Sequence, residues 1–281
     1  MDQLIQALVM GLVQGLTEFL PISSSGHLIL LPELLGWRDP FIGSLAFSVM
    51  LHLGTLGALL VYFRADWLRL VPAGLAALRD RSFRDDPDRR LAWLIVASMV
   101  PAIIAGLLLD DLAETAFREA RLVAITLIIG AAILWLADRW GSRDREISGL
   151  TFRHAIGIGV AQAFALIPGI SRSGISISAG LFAGLSREAA ARFSFLMATP
   201  LIAGAGAWET RKIIAGESVA AVSPGALAVG MVAAFASGLV AIAFLLRFLR
   251  TRPTTVFVVY RLLLALVVVA WWLGVPRLPA M

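Results

Sequence analysis

Six stretches of the chain, near residues 43–63, 91–109, 121–137, 192–210, 225–247 and 255–274, are apolar. Each comes close to the roughly 20 residues that a membrane-spanning helix needs. Composition says the same: 59% of the 281 residues are hydrophobic and only 15% are charged, against about 25% in a soluble domain. A soluble protein of this size cannot hide that much apolar surface, whereas lipid can solvate it. The expected class is therefore an all-α polytopic membrane protein with one membrane domain over residues 1–281. Asp2 and Gln3 stand where a signal peptide would be basic, and no small-residue cleavage site follows, so no cleavable leader is expected. The chain has no cysteine, which excludes disulfides and thiolate metal sites.

Two further apolar regions are interrupted. Residues 4–35 break at Pro21–Gly26, and residues 154–185 break at Pro168–Gly174. Each arm has about 13–17 residues, roughly 20–25 Å of helix, too short to cross a core of about 30 Å. Such segments read as re-entrant helix–loop–helix pairs, whose irregular backbone is tolerated only within protein or against a wet cavity. The two regions are also repeats. GLVQGLTEFLPISSSG (11–26) aligns without a gap on GVAQAFALIPGISRSG (159–174), with six of sixteen positions identical, and FSVM at 47 echoes FSFL at 193. Repeat one then covers about residues 1–146 and repeat two about 147–281, each a re-entrant pair plus three spans. An odd number of spans per half inverts one half relative to the other, and matched interruptions in inverted halves point to a central binding site.

Charge sets the expected orientation. Loops 64–90, 138–153 and 248–254 share one side and carry thirteen arginines, Arg84 among them. The other side has Arg38, Arg118, Arg121, Arg211, Lys212 and Arg277. The first side is expected to be cytoplasmic, so the site would open toward the periplasm. The net charge of +5 is read as topology, and no nucleic-acid partner is expected. Loop 64–90, with five Asp among its Arg, reads as a solvated linker. Gly11-xxx-Gly15 and Gly180-xxx-Gly184 read as close helix contacts. His52 and His154 read as structural.

If the two loop tips meet, aligned positions differ where chemistry needs them to. Ser24 pairs with Arg172 in the alignment, and Glu18 with Leu166. An arginine offers a permanent cation and a donor fork suited to phosphate. Both loops feed a helix through Ser-x-Ser-Gly, and helix N-termini bind anions. The hydroxyls of Ser23, Ser24, Ser25, Ser171, Ser173 and Ser176 add donors. Together with Gln14, Gly26 and Gly174, this set suits a phosphate or diphosphate. His27 is placed to act as general base or acid. Ser24 is a candidate nucleophile, with direct attack by water as the alternative. Glu18, costly inside a membrane, would hold Mg²⁺ or Ca²⁺ through oxygen or orient His27.

At these residues the sequence resembles the bacterial undecaprenyl-diphosphate phosphatase family, the integral-membrane bacitracin-resistance type. The likeness runs along nearly the whole chain. Its most specific parts are QGLTEFLPISSSGHL (14–28) and PGISRSG (168–174), supported by SREAAARFSFLMATP (186–200). The resemblance implies inverted repeats with two re-entrant hairpins in the bacterial inner membrane. It also implies hydrolysis of undecaprenyl diphosphate to the monophosphate, which recycles the lipid carrier of peptidoglycan synthesis. The family's Ser, His and Arg fall on Ser24, His27 and Arg172. Its first motif has Glu or Gln, three residues, then Glu, here Gln14 and Glu18, which leaves the essential acid on Glu18 alone. A threonine common after the motif serine is Ser25 here. A homodimer is left open. The rival reading is a transporter or flippase of a polyprenyl phosphate, since broken inverted repeats are a transporter design. The neighbouring Ser24 and His27 favour the enzyme.

Overall fold

The computed structural model describes residues 2–83, 86–109, 120–215 and 223–274. Arg84, Arg118 and Arg277, counted above for orientation, lie outside them. The described residues form eleven α-helices and no strand: α1 (Gln3–Phe19), α2 (Ser24–Leu35), α3 (Leu45–Tyr62), α4 (Arg64–Asp80), α5 (Pro87–Leu108), α6 (Ala120–Trp140), α7 (Phe152–Ala163), α8 (Arg172–Phe182), α9 (Arg187–Ile214), α10 (Pro224–Leu249) and α11 (Thr255–Trp272). Six of them, α3, α5, α6, α9, α10 and α11, are long and apolar enough to cross a membrane. The protein is a multi-pass, all-helical membrane protein.

Four of the other five helices, α1, α2, α7 and α8, form the two expected broken pairs. α1 stops because Pro21 pushes Leu20 into an extended conformation (φ −67°, ψ 140°). α7 runs into a 3₁₀ turn at Phe164–Leu166, and Ile167 turns extended (φ −80°, ψ 113°) before Pro168. Each second arm then starts on a serine N-cap, Ser23 for α2 and Ser171 for α8.

Close backbone approach holds the first arms in place. A methyl group on Gly11 would overlap the Gly230 carbonyl of α10, and one on Gly15 would overlap the Ala234 carbonyl. Gly159, the aligned partner of Gly11, meets α5 the same way, at the Ser98 carbonyl. Each first arm thus packs through an equivalent glycine on a span from the other half, as small residues allow in membranes. This exchange is compatible with the two-repeat reading. Gly184 is not a helix contact: it lies beyond the end of α8 with φ +87°, a turn position that favours glycine.

Residues 64–80 are not a linker. They form α4, which packs beside α5 through Trp93, whose Nε1 donates to the Gly74 carbonyl (3.3 Å). Buried Asp66 explains the helix's seat: its carboxylate accepts from Arg192 of α9 (2.7 and 2.8 Å) and from Arg69 (3.1 Å). Charge pattern alone does not separate such a docked helix from a solvated loop.

Candidate active site

The two loop tips are interlocked. The Gly169 amide donates to Ser23 Oγ (3.1 Å), and Ser173 Oγ donates to the Leu20 carbonyl (3.0 Å). Ser23 and Ser171 have nearly the same backbone, φ 75° and 73°. A non-glycine residue held there costs roughly 1–3 kcal/mol. The surroundings over-determine both. Ser23 Oγ accepts from the Gly26 amide (3.3 Å) and lies 3.3 Å from Ser25 Oγ. Ser171 Oγ accepts from the Gly174 amide (3.1 Å) and lies 3.3 Å from Ser173 Oγ. This geometry aims the N-termini of α2 and α8 at one place, with Ser24 and Arg172 as their first residues.

Glu18 sits at that place, 3% exposed. Its Oε1 accepts from Arg172 through Nη2 (2.7 Å) and Nε (3.2 Å). Its Oε2 accepts from Ser24 Oγ in a short hydrogen bond and from Gln14 Nε2 (3.1 Å). His52 Nε2 lies 3.3 Å from the same oxygen. A carboxylate buried at this depth is tolerated because it is paired and fully hydrogen-bonded. Arg172 Nη1 is buried with no partner among the described residues. A spare donor of a forked cation, beside a serine hydroxyl and two helix N-termini, is what a phosphate requires.

His27 is not on Ser24. Its Nδ1 is 2.7 Å from the Ser23 carbonyl, so Nδ1 donates there, and Nε2 is 2.7 Å from the Tyr260 hydroxyl. The two rings stack with centroids 5.7 Å apart. The structure therefore brings Gln14, Glu18, Ser24 and Arg172 into one network and leaves His27 beside it. Ser23, Ser171 and Ser173, with Gly26 and Gly174, build the loops. Ser176 lies deeper, donating to the Arg172 carbonyl and sitting 2.6 Å from Ser194 Oγ. Only Ser24 and Ser25 among the six tip hydroxyls are partly accessible.

A family model described as "Bacitracin resistance protein BacA" matches residues 7–267. The chain belongs to that family. It is 47% identical to an undecaprenyl-diphosphatase of Myxococcus xanthus, over 93% of this chain and 86% of that protein. It is 44% identical to an undecaprenyl-diphosphatase of Nocardioides sp. over 94% of each chain. It is 46% identical to one from Gemmatimonas aurantiaca, over 94% of this chain and 96% of that protein.

In this BacA-family chain the sequence reading took His52, which lies 3.3 Å from Glu18, as structural and did not mark Tyr260 or Arg261. One signal for His52 was available. Extending FSVM/FSFL by two residues aligns His52 with Ala198. Glu18 and His52 therefore occur together in one half, and Leu166 and Ala198 replace them together in the other. Tyr260 and Arg261 lie in a span with no repeat match to mark them. His154 keeps its structural reading: it completes a capping box with Thr151 at the start of α7.

Among the described residues no group of three His, Asp or Glu could hold a metal ion. Gln14 stands where a second carboxylate would complete a protein site. The donor set fits a divalent cation only in the manner of Mg²⁺, one carboxylate together with substrate phosphates.

Proposed function

We propose that this chain hydrolyses undecaprenyl diphosphate to undecaprenyl phosphate and inorganic phosphate. The reaction would return lipid carrier to peptidoglycan synthesis in the bacterial cytoplasmic membrane and confer bacitracin resistance. The observation that carries the reading is one buried carboxylate, Glu18, that receives Arg172 on one oxygen and Ser24 on the other. The family and the relatives' names support the same activity. The excess of arginine on the loops of one side supports a site that opens to the periplasm.

In this reading Arg172 Nη1 and the free N–H groups opening α2 and α8 take the terminal phosphate, and catalysis is mainly positioning and charge stabilisation. Ser24 gives its proton to Glu18 as Oγ attacks phosphorus. The Oγ–P bond forms, the bond from phosphorus to the bridging oxygen breaks, and undecaprenyl phosphate leaves with the electron pair. Water then attacks the phosphoserine and passes its proton to His27 Nε2, which has exchanged its contact with Tyr260 for the water. Ser24 departs from phosphorus and takes back its proton from Glu18. A divalent cation would be held in the manner of Mg²⁺, by Glu18 with the substrate's own oxygens, and would offset part of their charge. The isoprenoid tail stays in lipid beside the spans.

The test is phosphate release from a polyprenyl diphosphate by purified protein, with and without EDTA, beside a Glu18→Gln variant. Release by the parent and none by the variant is expected. Equal release by both would remove Glu18 from the reaction.

A further inference from the structure

Arg261 is fully buried in α11, the largest side chain so enclosed among the described residues. Among the described residues no carboxylate lies within salt-bridge distance of it. Its donors instead go to backbone carbonyls of three segments. Nη2 donates to Gly169 (2.7 Å) and Ile170 (3.0 Å) in the second loop tip, and Nη1 reaches Pro21 (3.5 Å) in the first. Nε donates to Leu127 (3.2 Å), and Nη2 also reaches Thr126 (3.4 Å), both in α6. The surroundings are shaped around the guanidinium. A methyl group on Gly130 would overlap it, and one on Gly174 would come within 3.0 Å of Nη1.

A charge buried at this depth without a counter-ion is expensive, and such residues sit where function needs them. Three of the five carbonyls it binds, those of Pro21, Gly169 and Ile170, belong to the two breaks that set Ser24 and Arg172 on Glu18. Glu18 already pairs with Arg172 and lies beside His52, so the guanidinium of Arg261 adds a positive charge at the loop tips that no carboxylate offsets.

We propose that Arg261 is a positioning residue for the reaction: it locks the two re-entrant loop tips in register, and its unbalanced charge favours an anionic phosphate ligand there. It does not touch the ligand, because its donors are committed to carbonyls. The inference rests on the diphosphatase reading for its substrate, and the measurements below separate the two.

Purified Arg261→Lys, Arg261→Gln and Gly130→Ala proteins are compared with the parent in detergent. Thermal unfolding and gel filtration report the folded fraction. Arg261→Lys keeps the charge and loses the fork, so kcat should fall about 10–150-fold while inhibition by inorganic phosphate stays near the parent's. Arg261→Gln loses both, so kcat falls and the phosphate inhibition constant rises. Gly130→Ala leaves Arg261 in place but crowds both its guanidinium and the Ile170 carbonyl it binds, and should lower kcat without weakening phosphate inhibition. Hydrogen exchange over residues 168–174 should speed up in all three, a readout that needs no substrate. Parent-like kcat per folded molecule in Arg261→Gln, or unchanged exchange, overturns the positioning role. An unchanged phosphate inhibition constant in Arg261→Gln overturns the charge role. A parent protein that releases no phosphate would instead retire the function proposed above, and the exchange measurement would still decide whether Arg261 holds the loops.

Discussion

Arg172→Lys keeps the positive charge and removes the fork. Arg172 uses two donors on Glu18 Oε1, at 2.7 and 3.2 Å, and holds Nη1 in reserve for phosphate. A lysine ammonium is a point donor on a flexible stem and cannot span both tasks from the first turn of α8. At least one charge-assisted hydrogen bond is lost. Such a bond contributes about 1.5–3 kcal/mol, so kcat/KM should fall about 10–150-fold. The fold should survive, because Glu18 keeps a cation beside it and Ser171 still caps α8. The assay is phosphate release from a polyprenyl diphosphate in detergent micelles, normalised to folded protein by gel filtration. Turnover within twofold of the parent would instead mean that charge alone suffices and that Nη1 has no ligand.

Gln14→Glu sets a second carboxylate beside Glu18, where Gln14 Nε2 now donates, and should keep turnover while becoming more sensitive to EDTA than the parent; the EDTA titration of both proteins checks it. His52→Leu removes the group 3.3 Å from Glu18 Oε2 and should lower kcat by about 10-fold or more, whereas His52→Gln, which can still donate to that oxygen, should recover part of the loss. For orientation, a cysteine at Arg79 in this cysteine-free chain should resist a membrane-impermeant thiol reagent in intact cells and one at Arg38 should react; the reverse labelling would turn the site toward the cytoplasm. Gly15→Val should cut the yield of folded protein, because Gly15 packs directly on the α10 backbone.

The spans and the two breaks were legible because their signals are local: apolar length for the one, Pro and Gly inside an apolar run for the other. The meeting of Glu18, Ser24 and Arg172 was legible only because the repeat alignment placed Ser24 opposite Arg172. Residues brought in by tertiary packing left weaker traces. His52 is an ordinary polar interruption of α3 until Glu18 is seen beside it. Its neighbour in the reading, His27, drew attention by standing three residues from Ser24, yet its ring nitrogens are taken by the Ser23 carbonyl and Tyr260. Sequence distance on a helix says which groups share a face and not which rotamer they adopt. Arg261 was invisible for a different reason: its partners are backbone carbonyls, which carry no residue-specific signature. Loop 64–90 misled because an amphipathic helix anchored by one buried aspartate has the charge content of a linker.

The proposed reaction transfers the terminal phosphoryl group at the Glu18–Ser24–Arg172 cluster. Rapid-quench sampling of a single turnover, with substrate labelled in its terminal phosphate, tests it most directly. Label should appear on the protein at Ser24, rise and then pass into inorganic phosphate, with neither signal in Glu18→Gln. Inorganic phosphate appearing at full rate with no label on Ser24, together with substantial activity remaining in Ser24→Ala, would contradict it.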